Sequence, residues 1–261
     1  MMFKRKRAHD NSSADALRVI NDSTPFAVKE AFNSLATNVI YLPITDKCKK
    51  IAITSSVSGE GKTYVSINLS IVLAKNLTDK KVLLIDMDIR SPRISNLFKK
   101  IDGSNSSSVG LSEYLIGISE KPNIIATDIP GLSVLFAGGE SSNPAGLINS
   151  QKMTDFLKQC EEEYDYIIID TPPVNLVSDA TLLNDRVNGY ILAARSEYST
   201  TKSLASAEAL LNSVGAHIFG VVLTAYNPKK GSRYGYNYDY KYSKKYYSKY
   251  YGDYEKNNGN S

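Results

Sequence analysis

Two kinds of apolar pattern alternate along this chain. Continuous apolar runs at Val82–Asp86 and Tyr166–Asp170 are typical of strands buried on both faces of a parallel sheet. In the segment Phe26–Leu42, by contrast, apolar residues recur at spacings of three and four, which predicts an amphipathic helix. The same reasoning predicts strands at Ile51–Ile53, from Leu132, at Tyr190–Ala194 and at Ile218–Tyr226, and helices at Tyr64–Lys75, Met153–Cys160 and Thr200–Val214.

Because the predicted strands and helices alternate, we expect an α/β fold, with a mostly parallel sheet, helices on both faces and right-handed crossovers. Ligands bind such sheets at the carboxyl ends of the strands. A chain of 261 residues fits one such domain with tails. We expect a basic flexible arm at 1–24, the domain at 25–226 and a disordered tail at 227–261. The helix predicted from Phe26 is preceded by Ser23 and Thr24 as candidate caps and by Pro25.

A glycine-rich turn joins the first predicted strand to the helix that follows it. The segment TSSVSGEGKT (54–63) is of the kind in which backbone N–H groups and the positive end of a helix dipole converge on a polyanion. Lys62 is expected to reach the β- and γ-phosphates, and the Thr63 hydroxyl to bind Mg²⁺. Ser56 stands at the first glycine position of GxxxxGK[ST], so the alternative is a glycine-rich turn followed by a surface lysine. The predicted nucleotide-binding residues are Ser58, Gly59, Glu60, Gly61, Lys62, Thr63 and Tyr64.

Acidic residues end two of the buried strands. Asp86 and Asp88 follow one strand and Asp170 ends another. Any one of them alone could simply cap the next helix. Together with the phosphate turn they predict a nucleotide–Mg²⁺ site, because Mg²⁺ takes carboxylate oxygens beside bound phosphates. The predicted catalytic residues are Lys62, Asp86, Asp88 and Asp170, and the predicted metal ligands are Thr63, Asp86, Asp88 and Asp170.

The composition of the chain indicates the cellular compartment of the protein. No apolar run approaches the ~20 residues of a membrane helix, and the basic N-terminus lacks the apolar core of a secretory signal. Cys48 and Cys160 are isolated thiols, which suggests neither a disulfide framework nor a metal site. We therefore expect a cytoplasmic protein.

The last 35 residues differ sharply in composition from the rest. From Tyr226 onward eight Lys or Arg face three acidic residues, a charge of +5 that exceeds the +4 of the whole chain. The segment has almost no aliphatic residues, so it cannot bury a core and should be disordered. It carries ten of the eighteen tyrosines of the chain: Tyr234, Tyr236, Tyr238, Tyr240, Tyr242, Tyr246, Tyr247, Tyr250, Tyr251 and Tyr254.

From about Phe26 to Tyr254 the chain resembles the bacterial tyrosine kinases of the capsule and exopolysaccharide type. TSSVSGEGKT (54–63) is similar to the Walker A motif of that family, LLIDMDIRSPR (83–93) to its second Walker A-like motif and YIIIDTPP (166–173) to its Walker B motif. GLSEYLIG, NPAGLINS and SDA (178–180) also resemble family landmarks. The terminal tyrosine cluster is the most distinctive feature of the family.

The resemblance implies an ATP-dependent protein-tyrosine kinase that phosphorylates its own tail tyrosines and regulates polysaccharide synthesis and export. ATP and Mg²⁺ would be held by Lys62, Thr63, Asp86, Asp88 and Asp170. It further implies a separate membrane-embedded activator or chain-length regulator, a cognate tyrosine phosphatase, a homo-oligomer, and a position at the inner face of the membrane through the partner. No nucleic acid is expected.

Two positions depart from the family pattern. The first helix of relatives often carries arginines after a glutamate, for ring assembly, whereas here Glu30 is followed by Asn33 and Ala36. Relatives also often place an asparagine near the adenine at the end of the last strand, where this chain has Thr224.

Proteins with other functions also contain a phosphate-binding turn of this kind. A partition- or division-type ATPase typically carries a second lysine early in the turn, and Val57 at that position argues against it. A basic, tyrosine-rich tail also suits the binding of single-stranded nucleic acid, through stacking and phosphate contacts.

For a kinase, a carboxylate that accepts the phenolic proton is needed, and we expect Asp86 in that role with Asp88 as the alternative.

Overall fold

The computed structural model of the chain describes residues 19–95 and 109–226. The helices are α1 (Phe26–Ile40), α2 (Lys62–Asn76), α3 (Leu111–Ile116), α4 (Pro144–Ile148), α5 (Gln151–Glu163) and α6 (Thr201–Ser213). The strands are β1 (Lys49–Ser55), β2 (Val82–Asp86), β3 (Ile125–Ala126), β4 (Leu132–Leu135), β5 (Tyr166–Asp170), β6 (Gly189–Arg195) and β7 (Ile218–Thr224). A 3₁₀ helix spans Thr181–Arg186.

The seven strands form one sheet in the order β3-β4-β2-β5-β1-β6-β7. The β3–β4 pair is antiparallel and the other pairs are parallel. The predicted α/β fold with a mostly parallel sheet is therefore confirmed. Asp170 lies opposite Asp86 on one neighbouring strand and opposite Ile53 on the other, so the three central strands end at the same edge.

Alternate residues of the central strands pack on opposite faces of the sheet. Ile51 and Ile53 of β1 belong to a core shared with α1 and α2, whereas Ala52 packs with residues of α6. On the second face, Leu83 and Ile85 pack with α3 and α5. Helices thus cover both faces, which is why β2 and β5 are apolar at consecutive positions.

The first helix begins where the sequence predicts, but without the predicted cap. The N-cap residue of α1 is Pro25, and no side chain caps it. The Thr24 hydroxyl instead accepts a hydrogen bond from the backbone N–H of Asn21 at 3.0 Å, within the turn that precedes the helix. The expectation that Ser23 or Thr24 caps α1 was therefore wrong.

The described residues before α1 contact the domain. Val19 is buried in the core that α1 and α2 share, and the backbone N–H of Ile20 donates to Asn68 Oδ1 of α2 at 2.7 Å. The rest of the predicted arm, residues 1–18, and the ten tail tyrosines lie outside the described residues. The sheet and helices belong to the first of two units into which the chain divides, Met1–Thr224 and Ala225–Ser261.

Two observations bear on assembly and membranes. On α1, Asn33 accepts a hydrogen bond from Asn76 of α2 at 3.3 Å, and Ala36 is fully buried, so both residues that replace the family arginines face the domain itself. In the described ranges, no helix combines the length and the apolar character needed to cross a bilayer.

Candidate functional site

A cavity of about 670 Å³ opens beside the carboxyl ends of the central strands. It is formed by the turn after β1, the segment after β2 and the segment after β5. Seven of the predicted site residues line it: Ser58, Gly59, Gly61, Lys62, Thr63, Tyr64 and Asp88. Among the described residues, Glu60, Asp86 and Asp170 are predicted site residues that do not line the cavity but are buried beneath it.

The turn between β1 and α2 depends on two glycines in a left-handed conformation. Gly59 has a φ of 86° and Gly61 a φ of 93°, values that side chains other than glycine rarely adopt. A Cβ atom on Gly61 would also lie 3.1 Å from Thr224 Oγ1. The backbone at Gly61 therefore packs closely against the end of β7, and Lys62, which lines the cavity, begins α2. This is the geometry of a phosphate-binding loop at a helix N-terminus.

Lys62 is held between two carboxylates. Its Nζ atom lies 2.7 Å from Asp88 Oδ2 and 3.8 Å from Asp170 Oδ2. Burial alone would lower the pKa of Lys62, but the charges of Asp170 and Asp88 and the hydrogen bond to Asp88 outweigh it, and the pKa is raised. The ammonium group is therefore charged at neutral pH and lies at the cavity wall.

Asp170 ends β5 and is coupled to the phosphate loop. It accepts hydrogen bonds from Thr63 Oγ1 at 2.6 Å and from Ser66 Oγ at 3.1 Å. Burial raises the pKa of Asp170 despite the opposing charge of Lys62 and these hydrogen bonds. The hydroxyl and the carboxylate predicted to hold Mg²⁺ are thus already in contact.

Asp86 and Asp88 occupy different environments although they are two residues apart. The carboxylate of Asp86 accepts hydrogen bonds from the backbone N–H groups of Asp88, Arg93 and Ile94 at 3.1–3.3 Å. Burial, followed by the charge of Asp170, raises the pKa of Asp86 to about 8. Asp88 instead lines the cavity. Asp86 therefore shapes the segment that presents Asp88.

The donor set fits Mg²⁺ bound together with a nucleotide. Thr63, Asp88 and Asp170 supply oxygen ligands within one hydrogen-bonded group that includes Lys62. Within residues 19–95 and 109–226, no three His, Cys, Asp or Glu side chains are arranged to hold a metal by themselves. Mg²⁺ usually takes one or two carboxylates and completes its coordination with phosphates and water.

Arg90 forms an ion pair at the cavity, with a partner that was not predicted from the sequence. The Arg90 guanidinium donates to Asp179 through Nε at 2.8 Å and Nη2 at 3.0 Å, and Asp179 is fully buried. Arg90 lines the cavity. Sequence analysis named SDA (178–180) only as a family landmark, and nothing in either segment alone indicated that they meet.

Thr224, one of the two departures from the family pattern noted above, contacts the phosphate loop. Its hydroxyl donates to the backbone oxygen of Glu60 at 2.6 Å, and it is buried against Gly61. Two residues at and just after the end of β6 contact the same loop. Nη1 of Arg195, the last residue of β6, donates to Gly59 O at 3.2 Å, and Tyr198 Oη donates to Ser58 O at 3.0 Å. The ends of β6 and β7 therefore brace the loop from the side away from Asp88.

Comparison with known proteins agrees with this geometry. Residues 48–215 match the family model described as an AAA domain. The chain is 34% identical over 196 residues to the tyrosine-protein kinase CpsD of Streptococcus pneumoniae, covering 75% of this chain and 83% of CpsD. It is 31% identical over 208 residues to the tyrosine-protein kinase YwqD of Bacillus subtilis, covering 79% and 85%. Among solved structures, the kinase domain of the Escherichia coli tyrosine kinase ETK superposes with a TM-score of 0.74 at 32% identity, covering 85% of this chain and 84% of that domain.

Proposed function

Because this chain belongs to the bacterial tyrosine kinases, the family of CpsD and YwqD, we propose that it transfers the γ-phosphoryl group of ATP to its own C-terminal tyrosines. The family makes it a protein-tyrosine kinase, and the phosphate-loop fold implies that it binds nucleotide. The observation that carries the proposal is the position of Lys62, whose charged Nζ lies at the cavity wall beside Asp88 and Asp170.

The residues at the cavity have separate roles in phosphoryl transfer. Lys62 and the backbone of the phosphate loop bind the β- and γ-phosphates of ATP. Thr63, Asp88 and Asp170 would hold Mg²⁺, and Asp86 would support them from beneath. When bound, Mg²⁺ neutralises negative charge on the phosphates. Phosphoryl transfer depends mostly on such positioning and charge stabilisation.

The phenolic proton needs an acceptor at the cavity. In the transfer, a bond forms between the tyrosine oxygen and the γ-phosphorus, the bond from that phosphorus to the β–γ bridging oxygen breaks, and the phenol loses its proton. Of the two candidates, Asp88 lines the cavity, whereas Asp86 lies beneath it and binds three backbone N–H groups. Geometry therefore favours Asp88 as the proton acceptor.

The cellular role follows from the family resemblance. We propose that the kinase regulates capsular or exopolysaccharide synthesis and export together with a separate membrane-embedded activator, at the inner face of the membrane. A cognate tyrosine phosphatase would reverse the modification. Each phosphate adds about −1.5 to −2 charges, so three or more would neutralise or reverse the +5 tail and weaken its contacts in a homo-oligomer.

The test is incubation of the full chain with γ-labelled ATP and Mg²⁺, followed by phospho-amino-acid analysis. Labelled phosphotyrosine is expected in the wild type, and none in Lys62→Met. A variant with all ten tail tyrosines replaced by Phe is the matched control, because these substitutions leave the domain at 25–226 unchanged. Release of inorganic phosphate without phosphotyrosine would instead indicate a partition-type ATPase, and label retained by the tyrosine-free tail variant would refute the proposed sites.

A further inference from the structure

Glu60 lies within the phosphate loop but faces away from the cavity. Ser58, Gly59, Gly61 and Lys62 on either side of it line the cavity, whereas Glu60 is 0% exposed. A carboxylate in the middle of an anion-binding loop cannot itself bind phosphate, because both groups are negatively charged. Its charge even opposes the approach of ATP, so any benefit to binding has to come from geometry.

The buried carboxylate accepts hydrogen bonds from the start of the loop and from another part of the chain. Its oxygens accept from Ser56 Oγ at 2.8 and 3.0 Å and from the backbone N–H of Val57 at 2.9 Å. The third partner is the hydroxyl of Ser199, which lies in the segment after β6. A buried carboxylate is tolerated only when it is hydrogen-bonded in this way.

These contacts give a role to Ser56, the residue that departs from the phosphate-loop pattern at its first position. Ser56 stands where the pattern GxxxxGK[ST] has glycine, and its side chain is fully buried. Its hydroxyl also lies 3.2 Å from Ser203 Oγ of α6. The side chain that a glycine would lack is therefore used here to anchor the loop to Glu60 and to α6.

We propose that Glu60 is a positioning residue, which fixes the shape of the phosphate loop and joins it to the segment after β6. Through Ser199 it holds the segment that also carries Tyr198 and that follows directly on Arg195, the last residue of β6. Tyr198 and Arg195 both contact loop carbonyls. The proposal rests on the proposed binding of ATP by this loop. Without the carboxylate, the loop would lose its internal brace and its backbone N–H groups would be ordered only on binding, which lowers affinity.

Two substitutions separate hydrogen bonding from charge. Glu60→Ala leaves the N–H of Val57 and the hydroxyls of Ser56 and Ser199 without their shared acceptor. Glu60→Gln removes the charge but keeps the bonds, since its amide oxygen can accept from Val57 while its NH₂ group donates to the two hydroxyls, which can also act as acceptors. We expect Glu60→Ala to bind fluorescent N-methylanthraniloyl-ATP at least tenfold more weakly than wild type, and Glu60→Gln within about threefold.

The matched control is Glu113→Ala. Glu113 is another carboxylate that binds backbone N–H groups, those of Gly110 and Gly139 at 2.7 and 2.8 Å, but it does not line the cavity. Glu113→Ala should lower the melting temperature without changing the dissociation constant for the nucleotide, which is the pattern of a purely structural role. If Glu60→Ala does not fold, Ser199→Ala removes one donor and should weaken nucleotide binding in the same direction, by a smaller factor.

The measurement is made on the full chain with Mg²⁺, with thermal melting in parallel. Glu60→Ala binding as tightly as wild type would overturn the proposal. So would Glu60→Gln binding as weakly as Glu60→Ala, because charge rather than hydrogen bonding would then be responsible. Failure of the wild type itself to bind nucleotide would refute the proposed function instead, so the two failures are distinguishable.

Discussion

The ion pair between Lys62 and Asp88 predicts that one carboxylate restrains nucleotide binding. Lys62 Nζ lies 2.7 Å from Asp88 Oδ2, yet the same ammonium group is proposed to bind the phosphates of ATP. A nucleotide must therefore compete with Asp88 for Lys62 and must also approach a negative charge. Replacing Asp88 by Asn removes that charge and keeps the size of the side chain. We expect the variant to bind Mg²⁺-free ATP more tightly.

The magnitude follows from the geometry. At 2.7 Å and an effective dielectric constant of about 20, the Coulomb attraction is about 6 kcal/mol, which is an upper bound because both groups were hydrated before pairing. The net value of a hydrogen bond to a charged group is about 1.5–3 kcal/mol. Because about 1.4 kcal/mol is a factor of ten, Asp88→Asn should strengthen Mg²⁺-free binding about ten- to a hundredfold. The hydrogen bond that Asp88 Oδ1 accepts from the N–H of Ser91 at 3.1 Å is available to Asn as well.

The assay is equilibrium titration with fluorescent ATP in excess EDTA, compared between wild type and variant. Asp155→Asn is the control, because it makes the same change of charge on the exposed face of α5, away from the cavity. In Mg²⁺ the gain should shrink, because Asp88 is also proposed to bind the metal, and tyrosine phosphorylation should fall. Unchanged or weaker Mg²⁺-free binding by Asp88→Asn would refute the reasoning, because Lys62 would then not be restrained by this pair.

Three further predictions follow from the described contacts. Arg90→Ala should destabilise the fold by about 1–3 kcal/mol in urea titrations, more than Asp179→Asn, because it leaves a buried carboxylate without its partner, although the Arg90 side chain is 40% exposed; the reverse order would contradict this. Burial raises the pKa values of Cys48 and Cys160 to about 12, so neither thiol should react with iodoacetamide at pH 8 until the protein unfolds, as mass spectrometry would show. Since the folded state favours the neutral thiols, their contribution to stability should be present below about pH 9 and be lost as the pH rises toward about 12. Thr63→Ala should raise the Mg²⁺ concentration needed for half-maximal phosphorylation at least tenfold and leave Mg²⁺-free ATP binding within about threefold, and equal Mg²⁺ dependence would exclude Thr63 as a ligand.

Local pattern was enough to predict the elements that build the site. The two fully buried strands were predicted with the bounds that the structure has, Val82–Asp86 and Tyr166–Asp170, because five consecutive apolar or terminal acidic residues leave little ambiguity. The start of α2 at Lys62 follows from the glycine-rich turn before it. Since parallel strands end at one edge, the meeting of Asp86 and Asp170 was also within reach of the sequence.

Features that depend on distant contacts could not be predicted in this way. The two-residue strand Ile125–Ala126 exists only by pairing with β4 and is too short to show a period. The helix Pro144–Ile148 was not predicted from the sequence, because it is only five residues long, although Asn143 caps it by accepting from the N–H of Gly146. Glu60 was predicted as a nucleotide-binding residue, and its burial against Ser199 could not be predicted because the two residues are 139 positions apart.

Contacts within the site reduce the unfavourable energy of burying its three aspartates so close together. Three aspartates lie together at the strand ends, and unpaired buried carboxylates are strongly unfavourable. Each is relieved differently: burial raises the pKa of Asp86 and so favours its protonated form, Asp88 is paired with Lys62, and Asp170 accepts a hydrogen bond from Thr63. Arrival of ATP with Mg²⁺ would replace two of these partners, because Lys62 would turn to phosphate and Thr63 to the metal. The metal would then have to take over the charge of Asp88 and Asp170, which explains in physical terms why a nucleotide without Mg²⁺ should be a poor ligand until Asp88 is neutralised.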